Sequence, residues 1–124
     1  MLVRMTHTVG ILMFDDVEVL DFAGPYEVFT TAARMHQRDV PGAEPLFVVR
    51  TISTRGQPVR ARAGLRVEVD HAFDQHPRLD VLLVPGGVVT AELERPEVLD
   101  WLRRTAASAA LVTSVCTGAF LLAR

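Results

Sequence analysis

Apolar positions along the chain fall into two rhythms. Thr8–Phe14 (TVGILMF) is a near-continuous apolar run, the pattern of a strand buried on both faces of a parallel sheet. Leu46–Ser53 and Asp80–Val84 repeat it, as does Ala110–Val115. Between these runs the spacing turns helical. Leu20–Met35 carries Tyr26, Phe29, Ala32 and Ala33 on one face, and Pro25 is predicted in the first turn. Pro96–Ser108 carries Val98, Leu99, Leu102 and Ala106, and a last helix starts at Thr117 and runs to Arg124. Gln37–Pro45 and Val88–Arg95 read as loops, and Asp70–Pro77 as a turn or a single helical turn. Val59–Arg62 and Leu65–Val69 flank Ala63-Gly64 as a short β-ribbon. Strands alternating with helices predict an α/β fold, a mainly parallel sheet sandwiched by helices. No repeat, low-complexity tract or linker interrupts the chain, so residues 1–124 are expected to form a single domain.

Composition narrows the class. The chain has 124 residues, 49% of them hydrophobic, enough for one core and too few for two. Thirteen basic against fifteen acidic residues give a net charge of -2, without the clustered basic excess of a nucleic-acid footprint. Arg50, Arg55, Arg60, Arg62 and Arg66 alternate as on the exposed side of a hairpin, with an anion-binding stripe as the other reading. The single cysteine suits a reducing compartment rather than a disulfide-built secreted domain. Met1–His7 is too short and polar for a signal peptide, and Val81–Val84 and Ala109–Val112 fall far short of a membrane span. A cytoplasmic location with no membrane partner is expected.

Ala109–Ala123 (AALVTSVCTGAFLLA) carries the most chemistry. A buried strand runs into Ser114-Val115-Cys116-Thr117-Gly118 and a helix leaves at once, the layout of a nucleophile elbow. The tight turn projects the sulfur above the sheet edge, and Gly118 lets helix and strand pack closely. Unpaired N–H groups at the helix start favour the thiolate. A buried structural cysteine is the bland alternative.

Pro85-Gly86-Gly87 closes the Val81–Val84 strand and falls on the same sheet edge. Adjacent glycines let backbone N–H groups approach a developing negative charge, although a plain tight turn reads the same way. Asp21 lies between Leu20 and Phe22, which draw it inward. Burial beside a thiolate would make it a proton donor, and a helix N-cap before Gly24-Pro25 is the competing role. His7 lies at the wrong end of the first strand. His36, His71 and His76 have no metal-ligand spacing, so neither a metal site nor a Cys-His dyad is expected.

Three segments, FDDVEVLDFAGPYEVF (Phe14–Phe29), DVLLVPGG (Asp80–Gly87) and VTSVCTGAFLLA (Val112–Ala123), together resemble the ThiJ/PfpI superfamily of class I glutamine amidotransferase-like proteins. Within it, LDFAGP with SVCTG is similar both to isonitrile hydratases and to the ligand-sensing N-terminal domains of AraC-type transcription regulators. The resemblance implies a flavodoxin-like three-layer sandwich. It implies Cys116 as nucleophile, Asp21 as the acid hydrogen-bonded to the sulfur, and Thr117 as donor of a backbone N–H to an anion. It also implies Gly86 and Gly87 as the backbone anion hole, a homodimer, and no cofactor or metal. Family members continue well past the elbow helix, so the chain is expected to be cut short at its C-terminus. A partner or a following segment would then cover Phe120, Leu121 and Leu122.

The activity expected from the resemblance is hydration of a small isonitrile to an N-substituted formamide. A sensor domain of a regulator is the alternative. A redox or stress protein whose Cys116 oxidises to sulfinic acid is another. A peptidase would need the missing histidine.

Overall fold

The computed structural model describes residues 6–124, so most of the Met1–His7 segment read above lies outside the described residues. Its centre is β1 (His7–Leu12), buried along almost its whole length. β1 pairs in parallel with β2 (Phe47–Ser53) on one side and with β6 (Val81–Val84) on the other. This is why Thr8–Phe14 reads as one apolar run: a strand flanked on both edges and covered on both faces has no polar side to show. β5 (His71–Ala72) extends the sheet beyond β2, and β7 (Leu111–Ser114) extends it beyond β6. The order is β5-β2-β1-β6-β7 and every pairing is parallel, an α/β flavodoxin-like sheet. The core gathers Val9, Ile11, Leu82, Val84, Val98, Trp101 and Leu121.

From β1 the chain builds outward to β2 and β5, then returns to lay β6 and β7 on the opposite side. The strand order therefore reverses between β1 and β6. In open α/β sheets ligands bind at the carboxyl ends of the strands at such a switch point. Here the loops leaving β1, β6 and β7 share that edge.

Several elements depart from the sequence pattern. α1 spans Val19–Asp39, beginning before Leu20 and continuing past Met35, so Pro25 lies inside the helix rather than in its first turn. Proline lacks the N–H that would bond the Asp21 carbonyl, yet the helix starts earlier because Glu18 already turns the chain, accepting the Asp21 N–H at 3.1 Å. The ribbon is shorter than expected. β3 (Val59–Arg60) pairs antiparallel with β4 (Arg66–Val67), and Arg62–Gly64 forms a single 3₁₀ turn with Ala63 and Gly64 at positive φ. Asp70–Pro77 holds the short β5 and then the expected turn at Phe73-Asp74, without a helical turn. The Asp70 carboxylate accepts the Thr51 N–H at 3.0 Å, fixing that segment beside β2. Val88–Arg95 contains a one-turn helix, α2 (Thr90–Leu93). α3 (Pro96–Ser108) follows as expected, and α4 (Gly118–Leu122) follows the elbow with Thr117 as its N-cap. Among the described residues no helix is long and apolar enough to cross a membrane.

Candidate active site

β7 ends at Ser114, and Val115 still donates its N–H to the Val84 carbonyl at 3.0 Å. The next residue, Cys116, has φ 52°. A side chain in the left-handed region costs about 1–2 kcal/mol, and such strain gathers where a fold must aim a group. The turn is therefore a strained strand-to-helix elbow with the cysteine at its apex, and Cys116 is exposed. The buried structural role is thereby overturned. Gly118 makes the elbow possible, because a Cβ there would collide with the Val84 carbonyl oxygen. Among the described residues the Cys116 and Thr117 N–H groups donate to no acceptor, so both stay available at the apex.

The glycine turn packs directly onto the elbow. Gly86 donates its N–H to Asp21 Oδ2 at 3.1 Å. A Cβ at Gly86 would lie 2.7 Å from Thr117 Oγ1, 2.8 Å from Asp21 Oδ2 and 2.8 Å from the Thr117 nitrogen. Only glycine permits the three elements to meet. Gly87 donates its N–H to Thr117 Oγ1 at 3.0 Å, and that hydroxyl donates in turn to the Gly87 carbonyl at 3.1 Å. The sheet topology thus brings Asp21, Gly86, Gly87, Cys116 and Thr117 to one place. The Asp21 carboxylate bonds the Gly86 N–H and not the Cys116 sulfur, however, so the implied Asp21–Cys116 hydrogen bond is not formed. It also assigns the glycine N–H groups a job the sequence did not show, which is holding the Asp21 and Thr117 side chains. Asp21 is half-buried in the first turn of α1, and the cap position belongs to Glu18, so the N-cap role is overturned.

The histidines stay apart from this cluster. His7 starts β1 at the far end of the sheet. His76 accepts the Trp101 Nε1–H at Nε2, 3.0 Å away. That bond places its proton on Nδ1, which donates to the Pro77 carbonyl at 2.7 Å. Among the described residues no group of three or more His, Cys, Asp or Glu could hold a metal ion.

Sequence reasoning missed Glu92. It lies on α2 and is 4% exposed. Arg95 reaches its Oε2 at 3.1 Å and also grips Glu97 Oε1 at 2.6 Å and Thr54 Oγ1 at 3.0 Å. Burial pushes the Glu92 carboxyl above its ordinary 4.5 against the pull of Arg95, and the charges of Asp15 and Glu97 add to the rise. The available signal was an arginine three residues beyond a glutamate, both beside the glycine turn. The clamp ties the end of β2 to the segment that leaves that turn.

Comparison with known proteins follows the same residues. The family model described as the DJ-1/PfpI family matches residues 7–124. The chain belongs to the DJ-1/PfpI family. An isonitrile hydratase of Pseudomonas putida is 35% identical over 119 residues, covering 95% of this chain and 47% of the hydratase. The HTH-type transcriptional regulator GbdR of Pseudomonas aeruginosa is 28% identical over 121 residues, covering 98% of this chain and 31% of the regulator. The crystal structure of a ThiJ/PfpI family protein from Pseudomonas syringae superposes with a TM-score of 0.79 at 27% identity, covering 94% of this chain and 45% of that one. This DJ-1/PfpI chain therefore spans about half the length of the hydratase and less than a third of the regulator.

Proposed function

We propose that this DJ-1/PfpI domain hydrates a small isonitrile to an N-substituted formamide, with Cys116 as nucleophile. The observation that supports this most is the exposed cysteine at φ 52° beside the Asp21–Gly86 bond. The 35% identity to an isonitrile hydratase points to the same substrate class. The Cys116 thiolate attacks the terminal isonitrile carbon and forms a C–S bond. Asp21, whose Oδ2 is held by Gly86, delivers a proton from its other oxygen to that carbon, giving a thioimidate. Water then adds to the same carbon, one of its protons passing to the nitrogen and the other returning to the Asp21 carboxylate. The C–S bond breaks, and the thiolate is restored as the formamide leaves. Atoms balance as one isonitrile plus one water to one formamide. Charge developing on the substrate would meet the Thr117 N–H, while the Gly86 and Gly87 N–H groups hold the Asp21 and Thr117 side chains in place. Residues 1–124 are proposed to lie within one such domain, working in the cytoplasm as a homodimer without metal or cofactor.

The test is formamide production from a simple alkyl isonitrile, followed by gas chromatography. Turnover is expected in the parent chain and absent in Cys116→Ala and Asp21→Ala, with circular dichroism showing all three folded. Full activity in Asp21→Ala would remove Asp21 from the acid role. The 28% identity to GbdR favours a second reading, a ligand-sensing domain. A folded chain that binds the isonitrile without turning it over would support that reading instead.

A further inference from the structure

The β3–β4 ribbon sets two arginines side by side. In its register Val59 faces Val67, and Arg60 faces Arg66. Opposed residues share a face, and successive residues alternate faces. Val59 is 2% exposed and Val67 packs against the core, so the valines occupy the inner face. Both arginines are thereby driven to the outer face, where they are exposed. Like charges directly opposed on a ribbon repel. Arg62 has a carboxylate partner, Glu18 at 3.4 Å, but among the described residues neither Arg60 nor Arg66 forms an ion pair. A cavity of about 310 Å³ opens between Arg60, Arg66, Asp15, Pro58 and Val59. Asp15 has its Oδ1 engaged by the Arg60 N–H at 2.9 Å. Two guanidiniums against one carboxylate leave the cavity positive.

We propose that this cavity is a binding subsite for a small oxyanion, a carboxylate or a phosphate, held between the Arg60 and Arg66 guanidiniums. Their planar forks match such groups, and a shared anion relieves their repulsion. The subsite is wired to the active site through the segment 15–18. On one side that segment bonds the ribbon, Asp16 N–H to the Arg60 carbonyl at 2.8 Å and Arg62 N–H to the Val17 carbonyl at 3.0 Å. On the other it bonds the glycine turn, Glu18 N–H to the Gly86 carbonyl at 2.9 Å and Val88 N–H to the Asp16 carbonyl at 3.1 Å. An anion on the ribbon is one chain's width from the turn that holds Asp21. The subsite does not depend on the isonitrile reading.

Titration with inorganic phosphate, and separately with acetate, at ionic strength held constant with sodium chloride, tests this. The readout is the arginine Nε–H and backbone amide resonances. Saturable shifts are expected at Arg60 and Arg66, passing to the amides of residues 15–18. Arg60→Gln and Arg66→Gln should each weaken binding by about tenfold, while Arg62→Gln should leave it unchanged. A response to phosphate alone assigns a phosphate, and a response to both assigns a carboxylate-sized oxyanion. Shifts that never saturate, or that persist in the Arg60→Gln, Arg66→Gln double variant, overturn the proposal. All three side chains are exposed, so the variants keep the fold.

Discussion

At Cys116 the cost of aiming a side chain is separable from the chemistry of the sulfur. The residue holds φ 52°, where any Cβ is strained and glycine is not. Cys116→Ala and Cys116→Gly both remove the thiol, yet only glycine releases the backbone. Cys116→Gly is expected to be more stable than Cys116→Ala by roughly 1 kcal/mol, read as a higher urea midpoint with unchanged m-value. Equal midpoints would mean the elbow is unstrained. Gly86 poses the opposite case. Gly86→Ala places a Cβ among Thr117 Oγ1, Asp21 Oδ2 and the Thr117 nitrogen. One of them must move, and the Gly86–Asp21 bond is the one most easily broken. A loss of about 0.5–1.5 kcal/mol is expected, the range for one hydrogen bond. Thermal unfolding measures that loss, and the rate of Cys116 alkylation by iodoacetamide should change with it. An unchanged rate would show that the turn does not shape the elbow.

At the scale of elements, legibility followed burial and length. β1 and β6 were plain in the sequence because strands covered on both faces are nearly all apolar, and β2 through Phe47, Val48, Val49 and Ile52 despite the exposed Arg50. β5 was not, since His71-Ala72 is too short for any period and is held by Asp70 and Thr51 from a distance. The start of α1 was hidden because Pro25 marks first turns more often than interiors. The local part of the site, Cys116-Thr117-Gly118, could be read from strand, turn and helix. The Asp21–Gly86 bond joins residues 65 positions apart, so nothing in the spacing announces it. Glu92 was missed because Ala91-Glu92-Leu93-Glu94 looks like an exposed loop, and only packing of α2 buries it. That burial has a pH signature. A carboxyl raised above 4.5 in the folded state contributes stability that is fully present below 4.5 and lost as pH rises through the folded value. Glu92→Gln removes the titration and keeps the shape. The stability of the parent chain minus that of Glu92→Gln should therefore fall with rising pH across this window, measured by urea unfolding at stepped pH. A difference independent of pH would show that Arg95 fully offsets the burial.

Across residues 6–124, stability should grade from the centre of the sheet to β7. β1 is bonded on both sides and its Ile11 is 0% exposed, whereas Leu111 on β7 is 55% exposed and Val112 is 36% exposed. Ile11→Ala opens a cavity in the core and should cost about 2–5 kcal/mol. Leu111→Ala removes a side chain that water already surrounds and should stay within about 0.5 kcal/mol. The elbow hangs from the weaker end. Cys116 follows directly from β7, and β7 is held to the rest of the sheet through its pairing with β6. Native-state hydrogen exchange should then protect the β1 amides most and the β7 amides least, with the residues of α4 opening together with β7. If β7 instead exchanges only through global unfolding, the elbow is as rigid as the core, and its strain is held by the entire sheet rather than by the Val84–Val115 and Gly87–Thr117 bonds alone.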